Sequence, residues 1–83
     1  MPTVAMVDGV KIQFYWDDHP PAHFHIEWGE YHAQIAINSL KIMQGYIPKA
    51  KYRKVVTWAK PRKDKLLDAW IKCQSDLHPG RLG

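Results

Sequence analysis

The 83-residue sequence predicts an α+β domain: a small antiparallel sheet of four to five strands, one face of which is covered by two C-terminal α-helices. Three observations predict it. Up to about residue 44, apolar and polar side chains alternate in short runs, the period of a half-buried strand. Two-residue turn signals, Asp8-Gly9 and Gly29-Glu30, separate those runs. From Pro48 onward the apolar spacing becomes that of a helix with one inward stripe. The length suits one domain with one modest core, and four Trp, four Tyr and two Phe give it large burial per residue. Residues 1–83 therefore read as a single unit: a β-meander over 1–45, a helical half over 48–75 and a tail over 77–83. No repeat or low-complexity stretch divides them.

Taken in order, Thr3–Val7 is a short strand and Val10–Trp16 its return, with Ile12, Phe14 and Trp16 on one face and Lys11, Gln13 and Tyr15 on the other. Asp17–Ala22 cannot continue the ladder. Proline lacks an N–H and restrains the residue before it, so Pro20 and Pro21 force a loop, and Asp17 and Asp18 read as its entry turn. Strands 23–28 and 31–37 follow. With Gly29 at the first central position of a type II′ turn, Trp28 faces Tyr31, Ile26 faces Ala33 and Phe24 faces Ile35. On the opposite face Glu27 meets His32 and His25 meets Gln34, with His23 beside them. A slip of one residue would mix the two sets, so this register is strongly specified. Asn38-Ser39 is the next turn, Leu40–Gln44 a last short strand, and Gly45 its end.

In the second half, Pro48 suits the first position of a helix, and Tyr52, Val55, Val56 and Ala59 recur at helical spacing. Pro61 should break that helix, and Arg62–Gln74 should form the second, with Leu66, Leu67, Trp70 and Ile71 on one stripe. Leu77–Gly83, with Pro79 and Gly80, reads as a frayed tail.

Charge is uneven. Residues 1–40 carry one basic and five acidic side chains, residues 41–83 eleven basic and three acidic. Such asymmetry suggests a polyanion or an acidic protein as the partner of the basic half. The single cysteine, Cys73, permits no internal disulfide and no cysteine-based zinc site, which favours a cytoplasmic setting. Met1-Pro2-Thr3 opens directly into strand-like sequence without the pattern of a signal peptide, and no apolar run approaches the ~20 residues that span a bilayer. Exposed strand edges in so small a sheet would allow a homodimer.

One run stands apart: Asp18-His19-x-Pro21-x-His23-Phe24-His25. Together with the opening Met1-Pro2-Thr3, the strand end Phe14-Tyr15-Trp16, Gly29-Glu30, Ile47-Pro48, Trp58-Ala59 and Leu66-Leu67-x-x-Trp70, it resembles the small bacterial family described as domain of unknown function 4160. The resemblance covers roughly residues 1–71. It implies a bacterial protein, and such families often stand beside a partner gene in presumed toxin–antitoxin pairs. It brings no catalytic residues. Pro61 stands where members usually carry a polar, helix-compatible residue.

Three chemistries compete for the histidines. His23 and His25, with His19 as alternate, could cleave an RNA backbone by acid–base catalysis without metal, since histidine titrates near working pH. Arg53, Lys60, Arg62 and Lys63, drawn from eight basic residues between 49 and 65, would hold the phosphates, and Tyr15 would stack on a base. Alternatively His23 and His25, two apart on a strand, could share a divalent metal, with Glu27, His32 or Glu30 completing the set. The third reading is structural: rings capping loop carbonyls, and a Glu27–His32 cross-strand ion pair within a non-catalytic module that docks an acidic antitoxin-type protein. The leading expectation is a cytoplasmic toxin–antitoxin-type component that acts on or binds RNA, with no cofactor required. The residues leave open whether it is an enzyme.

Overall fold

A computed structural model describes residues 3–16 and 18–82. The sequence signals at Met1, Pro2, Asp17 and Gly83 lie outside the described residues. Five strands form one antiparallel sheet in sequence order: β1 (Thr3–Val7), β2 (Val10–Gln13), β3 (His23–Trp28), β4 (Tyr31–Ala36) and β5 (Ile42–Tyr46). Both hairpin signals act as read. Asp8 and Gly9 take positive φ values of 50° and 82°, as a type I′ turn requires. Gly29 takes φ 58° between β3 and β4. The β3–β4 ladder pairs Trp28 with Tyr31, Ile26 with Ala33, Phe24 with Ile35, Glu27 with His32 and His25 with Gln34.

Three strand boundaries differ from the alternation pattern, each for a local reason. β2 stops at Gln13, because Tyr15 leaves the ladder to stack on His25. The last strand is Ile42–Tyr46, displaced from Leu40–Gln44, because Leu40 itself turns the chain at φ 60° and its N–H donates to the Ala36 carbonyl. Gly45 lies inside β5 instead of ending it. Its φ is 86°, and a Cβ there would stand 2.2 Å from the His32 carbonyl oxygen.

The helical half covers one face of the sheet, but as one continuous run and not as two separate helices. Lys49–Ala59 (α1) and Lys63–Gln74 (α2) are joined without a loop by a 3-10 turn at Lys60–Arg62. Pro61 sits at the start of that turn, where its missing N–H costs least. The side chain of Arg62 donates to the Trp58 carbonyl at 2.8 Å. Val55, Ala59, Leu66, Ala69 and Cys73 are buried along the inner stripe and pack with Val4, Ile12, Phe14, Phe24, Ile26 and Ile35. The tail is tied down instead of frayed: the Leu82 N–H donates to the Val4 carbonyl at 2.7 Å, and Pro79 is buried. No helix among the described residues is long and apolar enough to cross a membrane.

Gly45→Ala should lower stability by about 2 kcal/mol or more, since the added carbon meets backbone atoms that cannot swing aside. Gly29→Ala, with positive φ but nothing within 4 Å of the new carbon, should cost only about 1 kcal/mol. Urea unfolding of both variants measures the difference, and equal losses would contradict the assigned close approach at Gly45.

Candidate functional site

β3 presents His23 and His25 on one face, two residues apart, with ring centroids separated by 5.1 Å. The chain between β2 and β3 then folds back over that face. Tyr15 lies flat on His25, 3.7 Å between centroids and 17° from parallel. Asp18 enters between the two histidines: its Oδ2 is 2.8 Å from His23 Nε2 and 2.8 Å from His25 Nε2. From the helical side, the Trp70 ring stands 5.1 Å from that of His23, and Gln74 Nε2 donates to the Asp18 carbonyl at 2.6 Å. The result is a walled site. His23 is 0% exposed and His25 4%, while the Asp18 side chain keeps 16%.

The outer nitrogens are also committed. His23 Nδ1 is 2.7 Å from the Pro21 carbonyl oxygen, across the segment that contains the cis Pro20–Pro21 peptide bond. A carbonyl can only accept, so this nitrogen carries the proton. A neutral His23 therefore turns its Nε2 lone pair toward the Asp18 carboxylate. Although that oxygen is close, Nε2 has no hydrogen-bond partner. His25 Nδ1 lies 3.2 Å from His32 Nε2, and this pair can carry its protons in either sense: His32 donating inward with His25 donating to Asp18, or both relays reversed so that His25 Nε2 is a lone pair.

Electrostatics follow from burial and from the shared carboxylate. Burial pushes the Asp18 carboxyl up, but it is outweighed by the hydrogen bond from His25, by the His23 and His25 rings and by the His19 N–H, leaving it below the usual 3.8. His25 falls below the usual 6.5, first because burial disfavours its charged form; Asp18 opposes this, and His23 and His32 add to it. Neutral His25 donating to ionised Asp18 satisfies both directions. Burial likewise pushes the Cys73 thiol up, which suits its reading as a small buried side chain and not a nucleophile.

Of the residues singled out in the sequence, His23 and His25 are brought together, but not on an open surface. His19 lies at the rim, its side chain 82% exposed and its Nδ1 3.6 Å from Asp18 Oδ1. Tyr15 has a ring partner already, in His25. Glu27 points to Lys11 at 3.9 Å, Glu30 is exposed in its turn, and His32 acts on His25 from behind. The converging group is Asp18, His23 and His25, whose ligand atoms lie within 4.8 Å of one another. Asp18 is the member that the sequence reading assigned to a turn. The signal was the run Asp18-His19-x-Pro21-x-His23-Phe24-His25 itself, of which it is the first residue.

The proposed phosphate grip is elsewhere. Arg53 lines a groove with Val7, Asp8, Lys54, Thr57 and Trp58, at the β1–β2 turn. That turn adjoins the Trp28 end of β3, whereas His23 begins the strand, about 16 Å away at the rise of an extended chain. Arg62 sits over the Trp58 ring at 5.2 Å, Lys63 donates to the Asn38 carbonyl at 2.7 Å, and Lys60 is exposed.

The lowered positions of His25 and Asp18 fix the sign of a pH effect. Below pH 6.5 the unfolded chain takes up a proton at residue 25 that the folded chain resists, so stability falls on acidification from there. Asp18 adds a further loss of the same sign below pH 3.8. Urea midpoints should drop from pH 7.5 to pH 5.5, and His25→Gln should flatten that slope. A slope unchanged in the variant would contradict the assignment.

The comparisons with known proteins bear on family alone. No curated protein and no solved structure matches the chain. One family model does, that described as domain of unknown function (DUF4160), over residues 9–71, a span that holds Asp18, His19, His23, His25 and most of the helical run. On that match the chain belongs to the DUF4160 family.

Proposed function

We propose that this domain binds a divalent transition-metal ion through Asp18 Oδ2, His23 Nε2 and His25 Nε2. The observation that carries the reading is His23. Its ring is fully buried, its Nδ1–H is held by the Pro21 carbonyl, and its Nε2 faces a carboxylate oxygen 2.8 Å away without a hydrogen bond between them. With His23 neutral, two lone pairs face each other at 2.8 Å, an arrangement that a cation relieves and that a charged ring would instead make an ion pair. A backbone carbonyl behind one histidine and a second imidazole behind the other are the supports that orient metal-binding rings. The ring spacing suits it as well, with Asp18 Oδ2, now 2.8 Å from each nitrogen, drawing back to the ~3.3 Å that separates ligand atoms on a tetrahedral ion. Two imidazoles bound tetrahedrally at ~2.0–2.1 Å place their ring centroids about 5 Å apart, and His23 and His25 stand at 5.1 Å. Two imidazoles and a carboxylate favour zinc, iron, nickel or copper over magnesium or calcium. The same burial weighs against His23 and His25 as acid and base on an RNA chain, whose 2′-OH would have to reach both rings.

Equilibrium dialysis against zinc with metal analysis should show one ion per chain, and zinc should raise the melting temperature by mass action. Binding should fall in acid as the imidazoles protonate. His23→Gln, His25→Gln and Asp18→Asn should each weaken it at least tenfold. Stoichiometric zinc retained by all three variants would overturn the reading.

A second reading concerns the outer face of the helical run. Arg53 and Lys60 are exposed and, among the described residues, form no ion pair; Lys54 and Thr57 lie beside Arg53 in the groove. This face supports binding of single-stranded RNA by phosphate contact, independent of the histidines. Each such contact contributes about 0.7 to the slope of log affinity against log salt. Arg53→Ala/Lys60→Ala should therefore reduce that slope by about 1.4 in a salt series of RNA-binding titrations. Binding unaffected by salt, or an acidic protein preferred over RNA at the same face, would remove the RNA reading.

A further inference from the structure

The converging triad supplies three ligands to an ion, and a third imidazole, His19, stands one residue from Asp18. His19 is held by nothing but the site. Its Nδ1 is 3.6 Å from Asp18 Oδ1, and its ring meets that of His23 nearly edge-on, 6.2 Å between centroids. The His23 and His25 rings, already converging on Asp18, are 5.1 Å apart. A turn of the His19 side chain that closes about 1 Å would thus give it the spacing of two imidazoles sharing one tetrahedral ion. Little opposes the turn: the side chain is 82% exposed, and its ring and ion-pair contacts are with the site itself. The chain on either side is fixed, by the Gln74 donation to the Asp18 carbonyl before it and by Pro20–Pro21 after it, so the motion is confined to the side chain.

We propose, on the reading that the site binds metal, that His19 is the fourth ligand and closes a four-coordinate centre with Asp18, His23 and His25. This assigns the site to the closed class, in which protein groups fill every position and none is left for substrate or water. Three neutral imidazoles and one carboxylate would leave a divalent ion with a single net positive charge. It also gives the exposed His19 a role that neither the core nor the basic helical face provides. Arrival of His19 would then be the last step of metal capture, since it is the most exposed of the four ligands.

Cobalt(II) is the probe, because its visible bands report coordination number. The full-length chain and His19→Ala are loaded with cobalt(II), their spectra recorded, and azide then added. Folding of the variant is checked by circular dichroism, and an exposed side chain makes it a safe substitution. The wild type should show the intense bands of a four-coordinate ion and no response to azide. His19→Ala should bind cobalt at least tenfold more weakly and change its spectrum with azide as the vacated position fills. Identical spectra and identical azide responses in the two proteins would overturn the His19 assignment while leaving the triad intact, provided His23→Gln abolishes the bands. Failure of the wild type to bind cobalt or zinc at all would overturn the triad and the closure together.

Discussion

One carboxylate oxygen organises the histidine end of this domain. Asp18 Oδ2 stands at hydrogen-bond distance from two imidazole nitrogens whose rings are otherwise sealed from water. Buried polar groups are costly unless paired, and the loop that carries Asp18 supplies that pairing to His25 Nε2. Much of the surrounding structure holds it there. Tyr15 leaves β2 early to cover His25, Gln74 reaches from the end of α2 to the Asp18 carbonyl, and Trp70 packs beside His23. The helical run thereby does two things. Its inner stripe covers the apolar face of the sheet, and its C-terminal turns clamp the loop over the histidines.

The resulting site is preorganised. Rigid β3 fixes His23 and His25, the Pro21 carbonyl fixes the His23 tautomer, and His32 backs His25 from the next strand. His19, the outer edge of Asp18 and the backing His32 reach solvent, while the His23 and His25 rings do not. Such an arrangement is better suited to holding an ion than to working on a polymer, because a bulky substrate has no path to the rings. The basic face of α1 lies at the opposite end of the sheet, beside the β1–β2 turn. A metal centre and a polyanion-binding face would then be separate features of one small domain, with the metal contributing to stability and the helix to recognition.

Much of the fold was legible because it rests on local rules. Asp8-Gly9 and Gly29-Glu30 dictate their turns, and strict alternation about Gly29 sets the β3–β4 register pair by pair. The burial of His23 and His25 was not legible. Alternation places them on the polar face, and Tyr15 and Asp18, outside the periodic strands, convert that face into an interior. Asp18 was missed as their partner for the same reason: loop contacts across five and seven residues carry no periodic signal. The basic residues, dense in sequence, spread around the helical run: Arg62 and Lys63 serve backbone carbonyls, while Arg53 and Lys60 stay exposed. Pro61 was read as a helix end because its missing N–H weighs heavily in an α-helix. A single 3-10 turn absorbs it, with the Arg62 side chain serving the Trp58 carbonyl.

Nitrogen-15 NMR of the histidine side chains reads directly whether the buried His23 Nε2 is a lone pair that a cation would fill. At neutral pH without metal, His23 should carry its proton on Nδ1 alone, and addition of one equivalent of zinc should shift Nε2 of both His23 and His25 while leaving His23 Nδ1 protonated. A doubly protonated His23, paired to Asp18 and indifferent to zinc, would contradict the account and make the site a buried ion pair.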